Sequence, residues 1–249
     1  MKQFKTYVQH MILLIILSLF LIFSFSDVTR FTEASRYFSM PLFFVFLVIF
    51  FVSITLKSNT NKIIIQINEW VMFLSVSLSF ILLIFSFIFI PSNVNQQSMM
   101  PTLNDGDRIL ISHFMYTPTR GDIVVVEVNH DDYPMIPSST FNSESKIYFV
   151  KRLVGLPGDI ITFEIENGQR ILYINNEKVV SVSGHAYVVT EQQQRFLETQ
   201  IENDVLLQYF VLGDNSQASL DSIEFGHIYE DDIMGKVIYS LWPFGGIYE

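Results

Sequence analysis

The chain has 249 residues, enough for one or two domains; half of them are hydrophobic and 24 are phenylalanine. This composition excludes an ordinary soluble domain as the whole of the protein. The sequence contains no cysteine, which excludes disulfides, thiol catalysis and cysteine-bound zinc, and the five histidines lack metal-binding spacing. We therefore expect no metal and no other cofactor.

Charge is unevenly distributed along the chain. Residues 1–91 contain six Lys/Arg and three Asp/Glu, a net charge of +3, whereas residues 92–249 contain nine and twenty-two, a net charge of −13. The two parts therefore form separate domains. The acidic part is not expected to bind nucleic acid or, by charge alone, anionic lipid headgroups.

Three stretches of the first domain lack Asp, Glu, Lys and Arg altogether: residues 6–26, 37–56 and 70–91. Each is close to the about 20 residues that a helix needs to cross a bilayer. The sequence therefore predicts a membrane domain, residues 1–91, with three transmembrane helices in the lipid bilayer. No Ala-x-Ala-like site follows the first stretch, so we interpret it as a retained anchor and not as a cleavable signal peptide.

Basic residues predict the orientation of these spans. Four of them fall on the side of the amino terminus and the 57–69 loop, against two in the 27–36 loop. Three spans then leave the amino terminus in the cytoplasm. Residues 92–249 are expected on the extracytoplasmic face of the cell membrane.

The second domain has the pattern of an antiparallel β-sheet or barrel, because short β-branched runs alternate with Gly, Pro, Asn and Asp. The predicted strands are Arg108–Ser112, Asp122–Val128, Lys146–Val154, Asp159–Glu164, Ile171–Ile174, Lys178–Val182, Val205–Leu212 and Ile233–Leu241. Asn175-Asn176 predicts a tight hairpin turn, since asparagine tolerates positive φ. Residues 130–145 are predicted to form an exposed loop, and residues 191–204 another loop or a short helix.

Ser98 and Lys151 are the candidate catalytic residues. A serine hydroxyl is a weak nucleophile unless a base takes its proton, and a lysine is a base only when its amine is neutral. Phe149 and Val150 precede Lys151, and Leu153 follows it, so a strand here would bury the amine and lower its pKa toward about 7 to 8.

Four segments, in this order, resemble the sequence boxes of type I signal peptidases: Ser98-Met99-x-Pro101-Thr102-Leu103, Gly121-Asp122-Ile123-Val124, Lys151-Arg152-x-x-Gly155-Leu156-Pro157-Gly158-Asp159, and Gly213-Asp214-Asn215 with Ser219 and Asp221-Ser222. The resemblance extends from about Val94 to Lys236. It implies a membrane-bound serine endopeptidase that removes signal peptides from exported precursor proteins, with Ser98 as nucleophile and Lys151 as general base. The precursors, and the protein-export machinery, are the implied partners.

The resemblance also implies supporting roles. Gln96 occupies the position of a Ser/Thr oxyanion donor, and Ser219 that of a serine bonded to the lysine amine. Asp221 matches a family aspartate that is normally paired with an arginine. Val94 and Val150 are expected to line the substrate pockets.

The chain departs from the family pattern at four positions: Gln96, Gln97, Ser216 and Ile223. The last two stand where the family has arginines. A buried unpaired carboxylate is costly, so we expect Asp214 and Asp221 either to be solvated or to form an ion pair with Arg152.

Two other functions remain open at this point. The departures suit a catalytically weak or inactive relative that binds exported chains or membrane partners without cutting them. A self-cleaving regulator with the same pair of residues is the third hypothesis, but it would carry a DNA-binding domain where this chain has apolar spans.

Overall fold

The computed structural model describes residues 12, 15, 44–45, 47–55, 61–113, 116–141 and 145–246. It divides into two compact units, Met1–Phe89 and Ile90–Glu249, the second of which we call the β unit. The predicted span 6–26 and part of the span 37–56 lie outside the described residues.

The first unit is mainly helical where it is described. Residues 47–55 form one helical segment, and helix α1 covers Lys62–Phe87. Asn68 donates a hydrogen bond to the carbonyl of Ser53 (3.3 Å), which joins the two helical segments. Among the residues that the structure describes, no helix has both the length and the apolar character needed to cross a membrane.

Side chains of α1 show an inverted pattern of burial. Asn68 and Ser75 are buried together with Met72. The large apolar side chains that are exposed include Ile63, Trp70, Phe73, Leu74 and Phe80. Helix α1 thus keeps polar side chains inside and presents apolar ones outward.

The described strands of the chain are β1 (Phe89–Asn93), β2 (Arg108–Ser112), β3 (Ile123–Asn129), β4 (Lys146–Gly155), β5 (Ile161–Glu166), β6 (Gln169–Ile174), β7 (Glu177–Lys178), β8 (Val188–Val189), β9 (Ile201–Glu202), β10 (Val205–Leu206), β11 (Phe210–Leu212), β12 (Ile233–Trp242) and β13 (Phe244–Gly246). Helices α2 (Glu191–Glu198) and α3 (Ser222–Phe225) and 3-10 turns at Ser138–Phe141 and Glu230–Asp232 complete the described elements. The mainly β prediction for this domain is confirmed.

The main sheet of the described residues has seven strands in the order β1-β2-β12-β3-β4-β11, with β13 paired to β12. The pairs β2–β12, β12–β3, β3–β4 and β4–β11 are antiparallel. Strand β4 is therefore internal, between β3 and the short β11. In β4 the odd-numbered residues from Phe149 to Leu153 are buried, and Lys151 is one of them.

A smaller sheet has the order β5-β6-β7, with β8 paired to β6. The predicted hairpin is present here: Ile174 pairs with Glu177, and the turn residues Asn175 and Asn176 have φ of 53° and 66°. Both angles match the turn type that favours asparagine.

Buried apolar side chains of the β unit form three clusters in the described residues. They include Val124, Phe149 and Leu153 in the first cluster, Leu172, Tyr187 and Phe210 in the second, and Val94, Met99 and Leu103 in the third.

The predicted exposed loop at 130–145 is wrong in part. Tyr133, Ile136 and Phe141 are buried in the first cluster, and Ser138–Phe141 forms a 3-10 turn. The segment was predicted to be exposed because most of its residues are polar, and the burial of these three apolar side chains could not be read from that composition. The predicted strand at Lys178–Val182 is also too long, because β7 ends at Lys178.

Two further boundaries differ from the prediction. The run Val205–Leu212 is divided into β10 and β11, with Leu207 exposed between them. Helix α1 starts at Lys62 and ends at Phe87, and Pro91, the predicted end of the third span, lies in β1. Residues 191–204 contain α2, which begins with a capping box between Thr190 and Gln193.

Candidate active site

Ser98 lies in a turn between β1 and β2. Val94 closes the base of the loop, because its N–H donates to Asp107 and its carbonyl accepts from Gly106, both at 2.8 Å. Met99 and Leu103 are 1% exposed and anchor the turn in the third cluster. Ser98 itself is half-buried and lies at the surface of the β unit.

The segment after β11 packs directly against this turn. The N–H of Asn215 donates to the carbonyl of Ser98 (2.9 Å), and its side-chain amide donates to the carbonyl of Gln97 (3.1 Å). A Cβ on Gly213 would lie 2.5 Å from the Ser98 carbonyl oxygen, so only glycine fits there. The structure thus brings the first and fourth sequence boxes together.

Lys151 lies in the middle of β4, opposite Val124 on β3 and between Phe149 and Leu153 on the buried face. Its side chain is 2% exposed. Burial lowers the pKa of the Lys151 amine to about 8, against the opposing effect of the Asp221 and Asp214 carboxylates. The direction and size of this shift agree with the expectation from its apolar neighbours.

No hydrogen bond joins Ser98 Oγ to Lys151 Nζ among the described residues. Catalytic hydrogen bonds often form only when substrate is bound. Nothing in the described part of the chain accepts a hydrogen bond from the Ser98 N–H either. This N–H is therefore available to a substrate oxygen.

Asp214 is paired with Arg152, the residue after Lys151. Arg152 Nε and Nη2 lie 2.7 and 2.8 Å from the two carboxylate oxygens of Asp214. The hydroxyl of Thr102, four residues after Ser98, donates to the same carboxylate. Asp214 thus takes Arg152 as expected, and it connects three of the sequence boxes.

Asp221 departs from the expectation, since it is neither solvated nor paired with Arg152 in the described structure. It is 3% exposed and caps the N-terminus of α3. Its oxygens accept hydrogen bonds from the backbone N–H groups of Gly213 (3.1 Å) and Ile223 (3.2 Å). Burial raises the pKa of Asp221, and these bonds and the nearby Lys151 amine oppose the rise. Backbone donors thus satisfy a carboxylate for which we expected an arginine or water.

Ser219 lies against Gly213, where a Cβ would collide with the serine side chain. Its hydroxyl is near enough to Asp221 to favour the ionised carboxylate. Within the described residues, however, the buried Ser219 Oγ has no hydrogen-bond partner of normal geometry. The predicted bond from Ser219 to the Lys151 amine is therefore not formed in this structure.

Gln96 is exposed and has φ of 89°, in the left-handed region that favours glycine. Its N–H donates to Asp105 Oδ1 (2.8 Å), which fixes this conformation two residues before Ser98. Strained residues of this kind cluster at functional sites. Gln97 is also exposed.

Val94 and Val150 are brought to the same cluster. Val94 is 3% exposed and belongs to the third cluster, and the half-buried Val150 packs against this cluster.

Ser216 is half-buried, and Ile223 is buried in the second cluster. An apolar side chain therefore fits the position where the family has an arginine.

Sequence reasoning missed Tyr187, which is 4% exposed and donates to the carbonyl of Gly213 (2.7 Å). It lies outside all four boxes, and nothing in the sequence near it signals this contact.

A cavity of about 380 Å³ lies elsewhere in the β unit, between Gln200, His227 and Tyr229, and no predicted site residue lines it.

A mainly β domain that holds a serine turn against a glycine segment, next to a strand with a desolvated lysine, has the features of a serine peptidase of the Ser/Lys class. The family model "Signal peptidase, peptidase S26" matches residues 67–242. Signal peptidase IB of Staphylococcus aureus (strain COL) is 30% identical over 194 residues, which cover 72% of this chain and 91% of that protein. Signal peptidase I of Bacillus caldolyticus is 31% identical over 172 residues, which cover 64% and 82%. The chain belongs to the peptidase S26 family of signal peptidases, and it is a serine endopeptidase.

Proposed function

We propose that this protein removes amino-terminal signal peptides from exported precursor proteins, with Ser98 as nucleophile and Lys151 as general base. The observation that carries the proposal is the lysine: it is 2% exposed, and burial lowers its pKa to about 8. A lysine with this pKa is partly neutral at physiological pH, so it can accept a proton.

The reaction follows from these positions. The neutral amine of Lys151 takes the proton of Ser98 Oγ as the oxygen attacks the scissile carbonyl carbon. The Ser98 N–H, which has no acceptor among the described residues, donates to the developing oxyanion, and the Gln96 amide is the second donor. The lysine then protonates the leaving amine, and water hydrolyses the acyl-enzyme.

The substrate segment is proposed to bind as an extended strand beside the site. Alternate side chains of an added strand point into the enzyme. Val94 and Val150 then make shallow pockets that accept small residues at the positions one and three before the scissile bond. Their shared apolar cluster supports this assignment.

We further propose that residues 1–91 anchor the enzyme in the cell membrane through three spans, with the β unit on the extracytoplasmic face and in reach of the export machinery. The uncharged stretches and the bias of basic residues support this topology. Helix α1 adds support through its burial pattern, because exposed apolar side chains around buried Asn68 and Ser75 suit a lipid environment.

The second candidate is a weak or inactive relative, suggested by Gln96, Gln97, Ser216 and Ile223. Two of these departures are compensated: Arg152 pairs with Asp214, and backbone N–H groups satisfy Asp221. Because neither carboxylate is left without a partner, the missing arginines do not argue against activity. The enzyme is therefore the better supported function.

Cleavage of a signal-bearing precursor by the detergent-solubilised full chain tests the proposal. We expect Ser98→Ala and Lys151→Ala each to lower the rate by about a thousandfold or more, because each removes one partner of a pair that acts as a unit. Ser183→Ala and Lys178→Ala are matched controls at exposed positions and should cleave normally. Wild-type turnover in either of the first two variants would refute the assignment, and an inactive wild-type chain would favour the second candidate.

A further inference from the structure

Tyr187 is a buried tyrosine of the second cluster that reaches toward the active site. Its ring belongs to the same buried cluster as Phe210 and Leu212, and its backbone bonds to Val179 and Leu172. The hydroxyl donates to the carbonyl oxygen of Gly213 at 2.7 Å. Burial raises the pKa of Tyr187 well above its usual value, so the hydroxyl keeps its proton and remains a donor at any assay pH.

Gly213 is held on both sides of its Cα. Its carbonyl accepts from Tyr187, and its N–H donates to Asp221 Oδ2 at 3.1 Å. The Cα itself faces the Ser98 carbonyl and the Ser219 side chain, with no room for a Cβ. The position of Gly213 therefore decides where the Ser98 turn can lie.

The same segment continues into Asn215, which bonds to the carbonyls of Ser98 and Gln97. A shift of Gly213 would move these contacts and, with them, the nucleophile and its N–H. A displacement of about 1 Å at a reacting group can cost a hundredfold in rate.

From these contacts we propose that Tyr187 is a positioning residue for the peptidase reaction: its hydroxyl fixes the Gly213 carbonyl and thereby the Ser98 turn. This inference rests on the proposed function, because it concerns the geometry of that same site. Tyr187 does not touch the reacting atoms. It acts through Gly213.

Tyr187→Phe tests the role, since it keeps the ring in the core and removes only the hydroxyl. With the full chain in detergent and a signal-bearing precursor, we expect kcat to fall on the order of ten- to a hundredfold with little change in KM. The matched control is Tyr173→Phe, on β6 of the small sheet, whose hydroxyl bonds to Glu166 and not to Gly213. It should retain wild-type kcat.

The pH profile separates positioning from general loosening of the core. Tyr187→Phe keeps the buried ring and removes only the hydroxyl, so the burial of Lys151 should not change and the profile should fall in height with its midpoint unchanged. Loosening would admit water to Lys151 and move the midpoint to higher pH. A moved midpoint at reduced rate, or a kcat equal to that of wild type, overturns the inference.

A second measurement applies even when Tyr187→Phe is less stable. Tyr187→Phe and Asn215→Ala act on one segment, so their effects on kcat should combine to less than their product. Tyr173→Phe with Asn215→Ala should combine multiplicatively. If Tyr187→Phe also combines multiplicatively, the two residues act separately and the inference is wrong.

Failure of the wild-type chain to cleave would count against the proposed function, whereas an active wild type with a fully active Tyr187→Phe counts only against the role of Tyr187.

Discussion

Arg152 and Asp214 form a two-point ion pair that connects the strand of the candidate base with the segment that contacts the Ser98 turn. The Arg152 side chain is 15% exposed and that of Asp214 is 1% exposed. Thr102 donates to the same carboxylate, so one buried charge organises three segments of the site. The neighbouring residue Lys151 is buried without such a pair, and that difference keeps its pKa low.

The first prediction concerns this pair. Arg152→Met leaves Asp214 buried without its cation, so the free energy of unfolding should fall by about 3 to 5 kcal/mol. Arg152→Met with Asp214→Leu should cost less than the sum of the single variants, because the double variant leaves no buried charge unpaired. Thermal unfolding of the full chain in detergent measures both effects.

The control for this prediction is the surface pair of Lys178 and Glu166, at 2.5 Å and with side chains 38% and 33% exposed. Lys178→Met should lower the free energy of unfolding far less than Arg152→Met does, because solvent screens an exposed pair. Equal losses at the two pairs would mean that the pair of Arg152 and Asp214 contributes no more than a surface contact.

The second prediction is the pH dependence of cleavage. The neutral amine is the active form, so kcat/KM should be low in acid, reach half its maximum near the lowered Lys151 pKa of about 8, and level off about one unit higher. The free energy of unfolding should also rise with pH. Between pH 8 and 10.5 the Lys151 amine is protonated in the unfolded chain and neutral in the folded one, so raising the pH over this range favours the folded state. A rate that still climbs steeply at pH 10 would mean that the base is not desolvated.

The third prediction follows from the effect of Asp221 on Lys151. The Asp221 carboxylate favours the charged amine and so raises its pKa against desolvation. Asp221→Asn removes that charge but keeps an oxygen for one of the two backbone N–H groups. The midpoint of the pH profile of kcat/KM should therefore move below that of wild type.

Glu202→Gln is the matched control for charge, since it removes one exposed carboxylate from the same unit. Solvent and salt screen exposed charges, so its midpoint should stay at the wild-type pH. A shift to higher pH in Asp221→Asn would indicate that the loss of the cap opened the site to water. Asp221→Ala should be less stable than Asp221→Asn, by about 1 to 2 kcal/mol, because it leaves both N–H groups without an acceptor.

Local sequence was a good guide where local chemistry decides the structure. The Asn175-Asn176 turn was predictable because asparagine tolerates the two positive φ values that the turn requires. The strands β2 and β12 were predictable from their β-branched runs. The burial of Tyr133 and Phe141 was not, because it depends on distant strands that cover a polar segment.

The same distinction holds for the site. Ser98 and Lys151 could be proposed because their neighbours form a specific pattern, and the burial of Lys151 follows from the apolar residues beside it. For Asp214 the sequence left a choice between solvent and Arg152, whereas the backbone donors that satisfy Asp221 were not among the alternatives. Only the folded chain brings Tyr187 to Gly213, since Tyr187 lies outside the box that contains Gly213 and Asp221.

The last prediction concerns Gln96, where this chain differs from its family at a group expected to stabilise the oxyanion. Gln96 is exposed, and its φ of 89° is held by a bond from its N–H to Asp105. If the amide donates to the oxyanion, Gln96→Ala should lower kcat about a hundredfold with little change in KM, because that contact exists mainly in the transition state. Single-turnover cleavage of a precursor at saturating enzyme measures this step.

Two further variants of Gln96 separate the amide from the backbone strain. Gln96→Gly removes the same amide but tolerates the positive φ, so it should lose as much kcat as Gln96→Ala. Gln96→Ser should equal or exceed wild type, because a hydroxyl on a short side chain loses less conformational freedom when it is held near the oxyanion. An alanine variant with unchanged kcat would show that the amide is not a donor and that the Ser98 N–H acts alone. A glycine variant that stays active while the alanine variant does not would instead trace the loss to the backbone at this position.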